Sequence, residues 1–437
     1  HGNGHRLWVA VADVSHYVPV RGALDREARI RGCSVYLPDR AIPMLPHELS
    51  AGICSLNPEV ERCAMVVRID LDADGVPRDK AFMAAVIQSH ARLDYPGVAA
   101  ALAGDFRGPR ARYRRWAEAL GTMNALAKKM RERRLQRGAL NLEIPEATVV
   151  LDDDDPKLVR DVRSLKSSAD AKIAYQLVEE FMLAANEAVA QFFTERGLDC
   201  MWRGHDVPAS QRLEEFVQVA EAFGIRFAAG DAASPRGMQA ALAAIAGKPF
   251  ERALNFLLLR CLKQARYDVA NVGHFGLASK EYLHFTSPIR RYPDLIVHRL
   301  LKFHLKREGQ AAGGRSPAAP PPKEKLAEIA VECSGHERRA VAAEREVVDM
   351  YRAYLMRDRI GKELDGIISG VTHFGLFVEC TEPFVEGLVR TERIAGDRFD
   401  YDERGMRLVG RRSGRAFELG MPLRVRVEDV SVARRRS

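Results

Sequence analysis

The chain has 437 residues and a formal net charge of +8 at pH 7. That length allows two or three domains with a large core. The positive charge suits a polyanionic partner such as a nucleic acid, although ribosome-associated and membrane-surface proteins share it. The seven cysteines include no Cys-x-x-Cys pair, which argues against a disulfide framework and a structural zinc site. We expect neither a membrane span nor a signal peptide, and therefore a cytoplasmic location.

The first elements are predicted to be strands. Residues 7–14 form an apolar run directly after a polar, Gly-rich turn, which is typical of the second half of a hairpin. We therefore expect this chain to be a fragment whose preceding strand is missing. A second strand is predicted over residues 66–71, with a hairpin turn at residues 72–75.

The middle of the chain is predicted to be mostly helical. A helix over about 113–137 carries basic residues toward its end, which favours a solvated face. The strongest helical spacing runs from residue 169 to about 196, through apolar positions three and four residues apart. Further helices are predicted at 209–223, 237–246 and 249–265.

Residues 273–294 are the most informative segment. Pro288 and Pro293 each suit the first turn of a helix, and the second helix is predicted to run to about residue 308. Arg290 and Arg291 then lie near free N–H groups, where the helix dipole disfavours cations. A bound anion would relieve that conflict, so the pattern predicts a phosphate site. The alternative is an arginine pair on a solvated face.

A Pro- and Gly-rich stretch at residues 309–323 is predicted to be flexible. The composition alone would favour a domain boundary there. The final 75 or so residues contain five predicted strands, as a small OB-type barrel requires. Strict alternation would place Phe374 and Phe377 on opposite faces, whereas a bulge at Gly375 would bring both rings together as a base-stacking platform.

The chain resembles the RNB-domain exoribonucleases, the ribonuclease II/ribonuclease R family. The resemblance covers nearly the whole chain in separated blocks, at residues 7–15, 34–38, 42–46, 49–58, 89–93 and 273–294. It implies a mixed α/β RNB catalytic domain over residues 1–358, a sheet flanked by helices in which 309–323 is an insertion. An S1-type OB-fold RNA-binding domain is implied over 359–437. The implied activity is Mg²⁺-assisted, processive 3′→5′ hydrolysis of single-stranded RNA to nucleoside monophosphates.

The same resemblance assigns roles to individual residues. Arg290 matches an arginine that contacts the scissile phosphate, and Tyr36 a tyrosine that orients that phosphate. Tyr95 matches an aromatic residue near the terminal base, and Glu179 a glutamate at the 3′-terminal nucleotide, where ribose hydroxyls are its natural partners. Further RNA contacts are expected from Arg291, Phe374, Phe377 and Arg390.

Other positions fit the family less well. Leu142 stands where some relatives have a phenylalanine that sandwiches the last bases, which puts half of a stacking clamp in doubt. Arg390 stands where S1-type modules often carry a histidine. The pair His205 and Asp206 also resembles a family pair, and no role is assigned to it.

The metal ligands implied by the resemblance are an Asp-x5-Asp-x-Asp-Asp cluster just before the Trp8 block. Only six residues precede that block, and none is acidic. Residues 152–155 are four consecutive aspartates, but they follow the block and read as a polar turn. Asp13 is expected to structure its own turn. We therefore expect no metal ligand in this chain, and an inactive or weakly active fragment. The alternatives are a non-catalytic RNA-binding relative and a basic ribosome-associated protein.

Overall fold

The computed structural model describes all residues except 1, 3, 142–146, 156–157, 165–168, 249, 310–317, 404 and 433–437. Leu142 and most of the predicted insertion lie outside the described residues. The elements up to the first sheet are β1 (His5–Ala12), α1 (Val14–Tyr17), α2 (Ala23–Arg31), β2 (Val35–Tyr36), β3 (Ala41–Ile42), β4 (Glu61–Leu71) and β5 (Pro77–Gln88).

The central part is mainly helical, and its described residues include two short strand pairings, β6 with β7 and β8 with β9. Its elements are α3 (Tyr95–Leu102), α4 (Ala117–Arg137), β6 (Ala147–Leu151), β7 (Val159–Ser164), α5 (Ala169–Glu195), β8 (Trp202–Gly204), α6 (Ser210–Ala222), α7 (Ala229–Ala232), α8 (Pro235–Ile245), α9 (Glu251–Cys261), β9 (Arg266–Asp268), α10 (Tyr292–Arg307) and α11 (Lys323–Arg357). Among the described residues, no helix is long and apolar enough to span a membrane.

The first sheet is antiparallel, in the order β1-β4-β5. Its inner face carries Val9, Val67 and Ile69, all buried in the main hydrophobic core. Helix α5 covers this face with Phe181 and Phe192, members of the same core. Burying a Phe or Ile side chain contributes about 1.5–3 kcal/mol. The core therefore fixes α5 against the sheet, and with it every side chain that α5 presents on its other faces.

Two predicted helix boundaries differ from the observed ones by four residues each. The helix predicted at 113–137 begins only at Ala117, because residues Gly108–Trp116 form a tighter 3₁₀ turn. The helix predicted at 249–265 ends at Cys261, since Leu262 has an extended backbone. Helix α11 contributes Leu326 and Ile329 to the main core.

The C-terminal part consists of β10 (Glu363–Thr372), β11 (Gly375–Thr381), β12 (Phe384–Arg390), β13 (Phe399–Asp402), β14 (Arg407–Gly410), β15 (Ala416–Glu418) and β16 (Pro422–Arg426). These strands form a sheet in the order β12-β11-β10-β16 and a second sheet in the order β13-β14-β15. The two sheets share a core that includes Ile368, Leu376, Leu408 and Phe417. A mixed α/β unit followed by a small all-β unit agrees with the fold class expected from the sequence.

The all-β unit packs against the helical part through α9 and the end of α11. Ala253 of α9 belongs to the core of the two sheets. Arg252 forms an ion pair with Glu379 of β11 and stands over the ring of Phe384. Phe384 is itself buried with Leu355. Apolar and charged contacts together hold the two units in one arrangement.

Candidate functional site

A cavity of about 540 Å³ lies where the start of α3, one face of α5 and the segment before α10 meet. The side chains that define it are Tyr95, Tyr175, Glu179, Asn186, Tyr282 and Arg290. Arg291 also lines it. The structure thus brings together four of the residues singled out in the sequence, which come from three distant parts of the chain.

Helix α5 forms one wall because of its spacing. Tyr175, Glu179, Met182 and Asn186 follow one another at intervals of three and four residues, so they share one helical face. Asn186 is buried, donates a hydrogen bond to the Tyr282 hydroxyl at 2.9 Å and accepts one from the backbone of residue 285 at 2.9 Å. The amide group therefore fixes the segment before α10 against α5.

Tyr95 stacks on Tyr175, with ring centroids 3.9 Å apart and planes inclined by 25°. Asp94 caps α3 by accepting a hydrogen bond from the Gly97 N–H at 2.7 Å, as an N-cap aspartate should. The hydroxyl of Tyr113 donates to the same carboxylate at 2.6 Å. Tyr175 was not among the residues predicted from the sequence, although its position one turn before Glu179 was a usable signal.

The segment before α10 forms a single turn in place of the first of the two predicted helix starts. The N–H groups of Arg290 and Arg291 both donate to the Ser287 carbonyl, at 3.2 and 3.0 Å. The predicted second start is present, because α10 begins at Tyr292 with Pro293 in its first turn. Arg291 is therefore the N-cap residue of α10.

The two arginines differ in their partners. Arg291 donates two hydrogen bonds to the fully buried carboxylate of Asp294, at 2.8 and 2.7 Å. The Ser287 N–H donates to the same carboxylate at 2.7 Å. Arg290 is exposed, and its guanidinium makes no hydrogen bond or ion pair within the described part of the chain. An internal carboxylate thus relieves the dipole conflict at Arg291, while Arg290 keeps its charge available in the cavity.

The titratable groups next to the two arginines are held in fixed protonation states. Burial and the neighbouring cations Arg291 and Arg203 hold the pKa of His284 well below its ordinary value, so the imidazole is neutral. Burial raises the pKa of Tyr282 to about 12, which keeps the phenol protonated. Burial opposes ionisation of Arg291, but Asp294 outweighs it and raises the pKa of Arg291 above its ordinary value. Tyr282, which lines the cavity, therefore presents a neutral phenol beside the charged Arg291.

Glu179 and Glu180 both form ion pairs with Arg134 of α4. The Arg134 guanidinium lies 2.6 Å from the buried Glu180 carboxylate and 3.5 Å from the half-exposed Glu179 carboxylate. Arg137 similarly pairs with Glu187 at 2.6 Å. The end of α4 was predicted to be a solvated basic face, which holds for the exposed residues Lys128, Lys129 and Arg133 but not for Arg134. The two arginines face α5 because its row of glutamates offers them partners.

Tyr36 does not line the cavity. It lies on β2 and is 53% exposed, and its backbone N–H donates to Glu344 at 2.8 Å. Just before it, the Ser34 N–H donates to the Arg290 carbonyl at 3.0 Å. The strand that carries Tyr36 is therefore bonded to the turn that carries Arg290, although the two side chains lie in different surroundings.

Phe374 and Phe377 are neighbours on the all-β unit, with ring centroids 6.1 Å apart and an angle of 84° between planes. The predicted bulge at Gly375 is not what brings them together. Phe374 lies in the turn before β11, so alternation along the strand does not apply to it. The bulge in this sheet falls between Ile368 and Gly370 of β10. Arg390, exposed on β12, pairs in register with Gly375 beside these rings.

The acidic residues considered as metal ligands have other partners. Asp13 is buried, forms an ion pair with Lys302 at 2.7 Å and accepts a hydrogen bond from Ser15 at 2.5 Å. Burial alone would raise the pKa of Asp13, but the Lys302 charge and hydrogen bond lower it overall. Asp152 accepts hydrogen bonds from the N–H groups of residues 154 and 155, as a polar turn does. Within the described residues, no group of three potential ligands could hold a metal ion.

His205 and Asp206 have structural partners. His205 Nδ1 accepts a hydrogen bond from the Gly276 N–H at 3.1 Å, which ties it to the loop that precedes the cavity segment. Asp206 forms an ion pair with Arg266. These contacts account for the pair without a role in the cavity.

Comparison with known proteins identifies the class. The family model of the RNB domain matches residues 1–307, and that of the S1 RNA binding domain matches residues 357–437. The chain therefore belongs to the RNB family and carries an S1 domain after its RNB domain. The family resemblance read from the sequence is confirmed.

Curated relatives narrow the comparison to proteins named ribonuclease R. The chain is 40% identical over 426 residues to Ribonuclease R 1 of Lactococcus lactis, covering 97% of this chain and 50% of the relative. It is 38% identical over 437 residues to Ribonuclease R of Escherichia coli, covering 100% of this chain and 53% of that protein. The chain thus spans about half the length of these relatives.

Solved structures give the same result for the fold. The apo form of Mycoplasma genitalium RNase R superposes with a TM-score of 0.88 at 29% identity, over 99% of this chain and 66% of that chain. The complex of that protein with ribose methylated single-stranded RNA gives the same values. Yeast Ssd1, a pseudonuclease, shares the fold with a TM-score of 0.73 at 19% identity, over 93% of this chain and 48% of that chain.

Proposed function

We propose that this chain is the catalytic and RNA-binding part of a 3′→5′ exoribonuclease that releases nucleoside 5′-monophosphates processively from single-stranded RNA. The observation that carries the proposal is the convergence of Arg290, Tyr95 and Glu179 on one cavity of about 540 Å³. That volume lies in the range of small-molecule sites and suits the end of a strand. We propose a division into domains at residues 358 and 359, and a cytoplasmic location.

Each cavity residue has a role in this proposal. The stacked rings of Tyr95 and Tyr175 offer an aromatic surface to the terminal base. The half-exposed Glu179 carboxylate accepts hydrogen bonds from ribose hydroxyls, which distinguish RNA from DNA. Arg290, free of internal carboxylates in the described structure, contacts the scissile phosphate and balances negative charge that grows on it.

Two further residues have supporting roles. Arg291 shapes the site through Asp294, so its contribution to RNA binding is to hold the turn that presents Arg290. Tyr36 is proposed to orient the scissile phosphate, on a strand bonded to the same turn. The S1 domain holds the strand farther from its 3′ end, with Phe374 and Phe377 stacking on bases and Arg390 contacting the backbone.

The family resemblance implies divalent metal ions, Mg²⁺ in particular, which would activate water and stabilise the leaving oxygen. The described residues do not fit such ions, because no suitable group of ligands occurs among them. We therefore assign the ligands to residues outside the described set, and derive no step through a metal. We propose in addition that the chain alone binds RNA well and hydrolyses it poorly.

A non-catalytic RNA-binding relative is the second candidate. The lack of a metal-ligand group among the described residues favours it. The fold itself is compatible with that candidate, since the pseudonuclease Ssd1 shares it. Both candidates predict RNA binding in the cavity, and only hydrolysis separates them.

A degradation assay on 5′-labelled oligoadenylate with Mg²⁺ tests the proposal. We would compare this chain with a version extended by the upstream codons of its gene, each as wild type, Arg290→Ala and Arg133→Ala. Arg133 is an exposed arginine on α4 outside the cavity. We expect the extended form to shorten RNA stepwise from the 3′ end, with a loss of about 10²–10³-fold for Arg290→Ala only. RNA that stays bound at full length would support the non-catalytic candidate.

A further inference from the structure

An exposed arginine-rich segment borders the aromatic wall of the cavity. Residues 107–116, here called the arginine segment, contain arginines at 107, 110, 112, 114 and 115, and no acidic residue occurs from 106 to 117. Most of the segment is the 3₁₀ turn Gly108–Trp116. No role for this segment follows from the cavity residues described above.

Tyr113 attaches the segment to the cavity wall. Its ring is 2% exposed, and its hydroxyl donates to the Asp94 carboxylate at 2.6 Å. A Cβ at Gly97 would collide with the Tyr113 ring, so glycine is required for this close packing. Asp94 in turn caps the helix whose first residue is Tyr95. The arginine segment and the stacked tyrosines are therefore parts of one packed unit.

The charges of the segment are only partly balanced. Asp105 pairs with Arg107 and Arg110, and Asp94 pairs with Arg112 at 3.0 Å. Arg114 and Arg115 have no carboxylate partner among the described residues. Arg115 donates only to the backbone carbonyl of His90, at 3.3 Å. Within the described structure, two exposed guanidinium groups are thus uncompensated on a segment that packs against the start of α3.

Aromatic rings orient both of these groups. The Arg114 guanidinium stands 5.3 Å from the centre of the Phe106 ring, and that of Arg115 stands 4.5 Å from the centre of the Trp116 ring. A ring that holds the face of a guanidinium leaves its N–H edge free for an oxygen anion. An isolated basic run on a solvated face does not require such holding partners.

We infer that Arg114 and Arg115 form a backbone-binding site for single-stranded RNA that continues the cavity along the strand. The inference rests on the proposed function, because the cavity must hold the 3′ end of the same strand. The polyanionic strand fits two adjacent guanidinium groups, since each phosphate contact releases condensed counterions. A released mononucleotide would offer a single phosphate and gain only one such contact.

The test measures binding of the full chain to labelled oligoadenylate in EDTA over a series of salt concentrations. The variants are Arg114→Gln/Arg115→Gln and the charge-retaining Arg114→Lys/Arg115→Lys. A matched control, Lys128→Gln/Arg133→Gln, removes two exposed charges from α4. The melting temperature of each variant would establish that it is folded. We expect the first pair to lower the slope of log K against log salt by about 1.4 and to weaken binding roughly tenfold, since each single-strand contact adds about 0.7 to the slope.

The lysine pair should keep most of that slope, and the α4 control should leave it unchanged. The inference would be overturned if the glutamine variants of the arginine segment and of α4 changed RNA binding equally, or if neither changed it. The proposed function would still stand, provided that Arg290→Ala or Tyr95→Ala weakens binding. If the substitutions changed only the inhibition of RNA binding by AMP, the two arginines would bind the mononucleotide. That outcome would also overturn the inference. No RNA binding by the wild type would overturn both proposals.

Discussion

Tyr95 and Tyr175 stack face to face with their centroids 3.9 Å apart, and the pair joins the start of α3 to the exposed face of α5. The two rings are 37% and 48% exposed, so each retains surface for a further aromatic group. An edge-on or buried pair would have satisfied packing alone. The stacked and open arrangement leaves both rings accessible, as the proposed binding of a base requires.

The first prediction follows from this pair. Tyr175→Ala should weaken binding of single-stranded oligoadenylate by roughly 5- to 150-fold, because stacking contributes about 1–3 kcal/mol per base. Tyr175→Phe should bind as the wild type does, since the ring suffices. Fluorescence anisotropy in EDTA measures both. Tyr354, 39% exposed and outside the cavity, provides the control Tyr354→Ala, and an equal loss in that variant would contradict a role specific to Tyr175.

Substitutions of the neighbouring residues Arg290 and Arg291 should differ in their effect on stability. Arg291→Ala leaves the fully buried Asp294 carboxylate without its cation, and we expect a loss of about 3–5 kcal/mol in the free energy of unfolding. Arg290→Ala removes no side-chain hydrogen bond or ion pair seen in the described part of the chain, and should leave stability within about 0.5 kcal/mol of the wild type. Urea unfolding measures both values. A stable Arg291→Ala that loses RNA binding would instead show that Arg291 contacts the RNA directly.

The sequence was sufficient to predict most of the architecture, for identifiable reasons. Apolar spacing along α5 and the position of Pro293 are local signals, and the extent of α5 and the start of α10 follow from them. The helix start predicted at Pro288 is a single turn instead. Five strands were expected in the last domain, and its described residues form seven. The two strands that were not predicted, β13 and β15, are only four and three residues long. Such short strands acquire their geometry from the sheet they join and carry little periodicity of their own.

The site was less predictable, because its chemistry depends on long-range pairs. The sequence could not show that Arg291 pairs with Asp294 while Arg290 has no carboxylate partner among the described residues, since both arginines precede the same helix. It also could not show that α4 delivers Arg134 to Glu180, 46 residues away in the chain. Partner choice of this kind is decided by packing, and a charge pattern alone does not determine it.

The S1 domain gives a third prediction. Phe374 is 43% exposed and lies beside Phe377. Changing it to alanine should weaken the binding of RNA by about 1–3 kcal/mol. The cavity is untouched by this change, so cleavage by the extended form should slow at limiting RNA and recover at saturating RNA. Steady-state kinetics separates KM from kcat. Met421→Ala, a control of similar exposure on the same domain, should change neither, and a fall in kcat for Phe374→Ala would contradict a purely binding role.

The buried pair between Arg134 and Glu180 leads to a prediction about pH. Burial raises the pKa of Glu180, and Arg134 opposes that rise, so Arg134→Ala should raise the pKa further. A carboxyl group whose pKa is higher in the folded state binds more protons when folded, and stability therefore falls as pH increases through the interval between the unfolded and folded values. We expect Arg134→Ala to lose about 3–5 kcal/mol near pH 7 and to recover part of this loss near pH 5.

Urea unfolding at the two pH values measures the difference, with Arg133→Ala as the control. Arg133 is the adjacent residue of α4, is exposed, and has no carboxylate partner in the described part of the chain. Its removal should change stability by less than about 0.5 kcal/mol at either pH. A loss in Arg134→Ala that is the same at pH 5 and pH 7 would mean that packing of the arginine stem, and not the charge left on Glu180, accounts for the instability. The variant Arg134→Ala/Glu180→Gln tests this directly, because without the buried carboxylate the pH dependence should disappear.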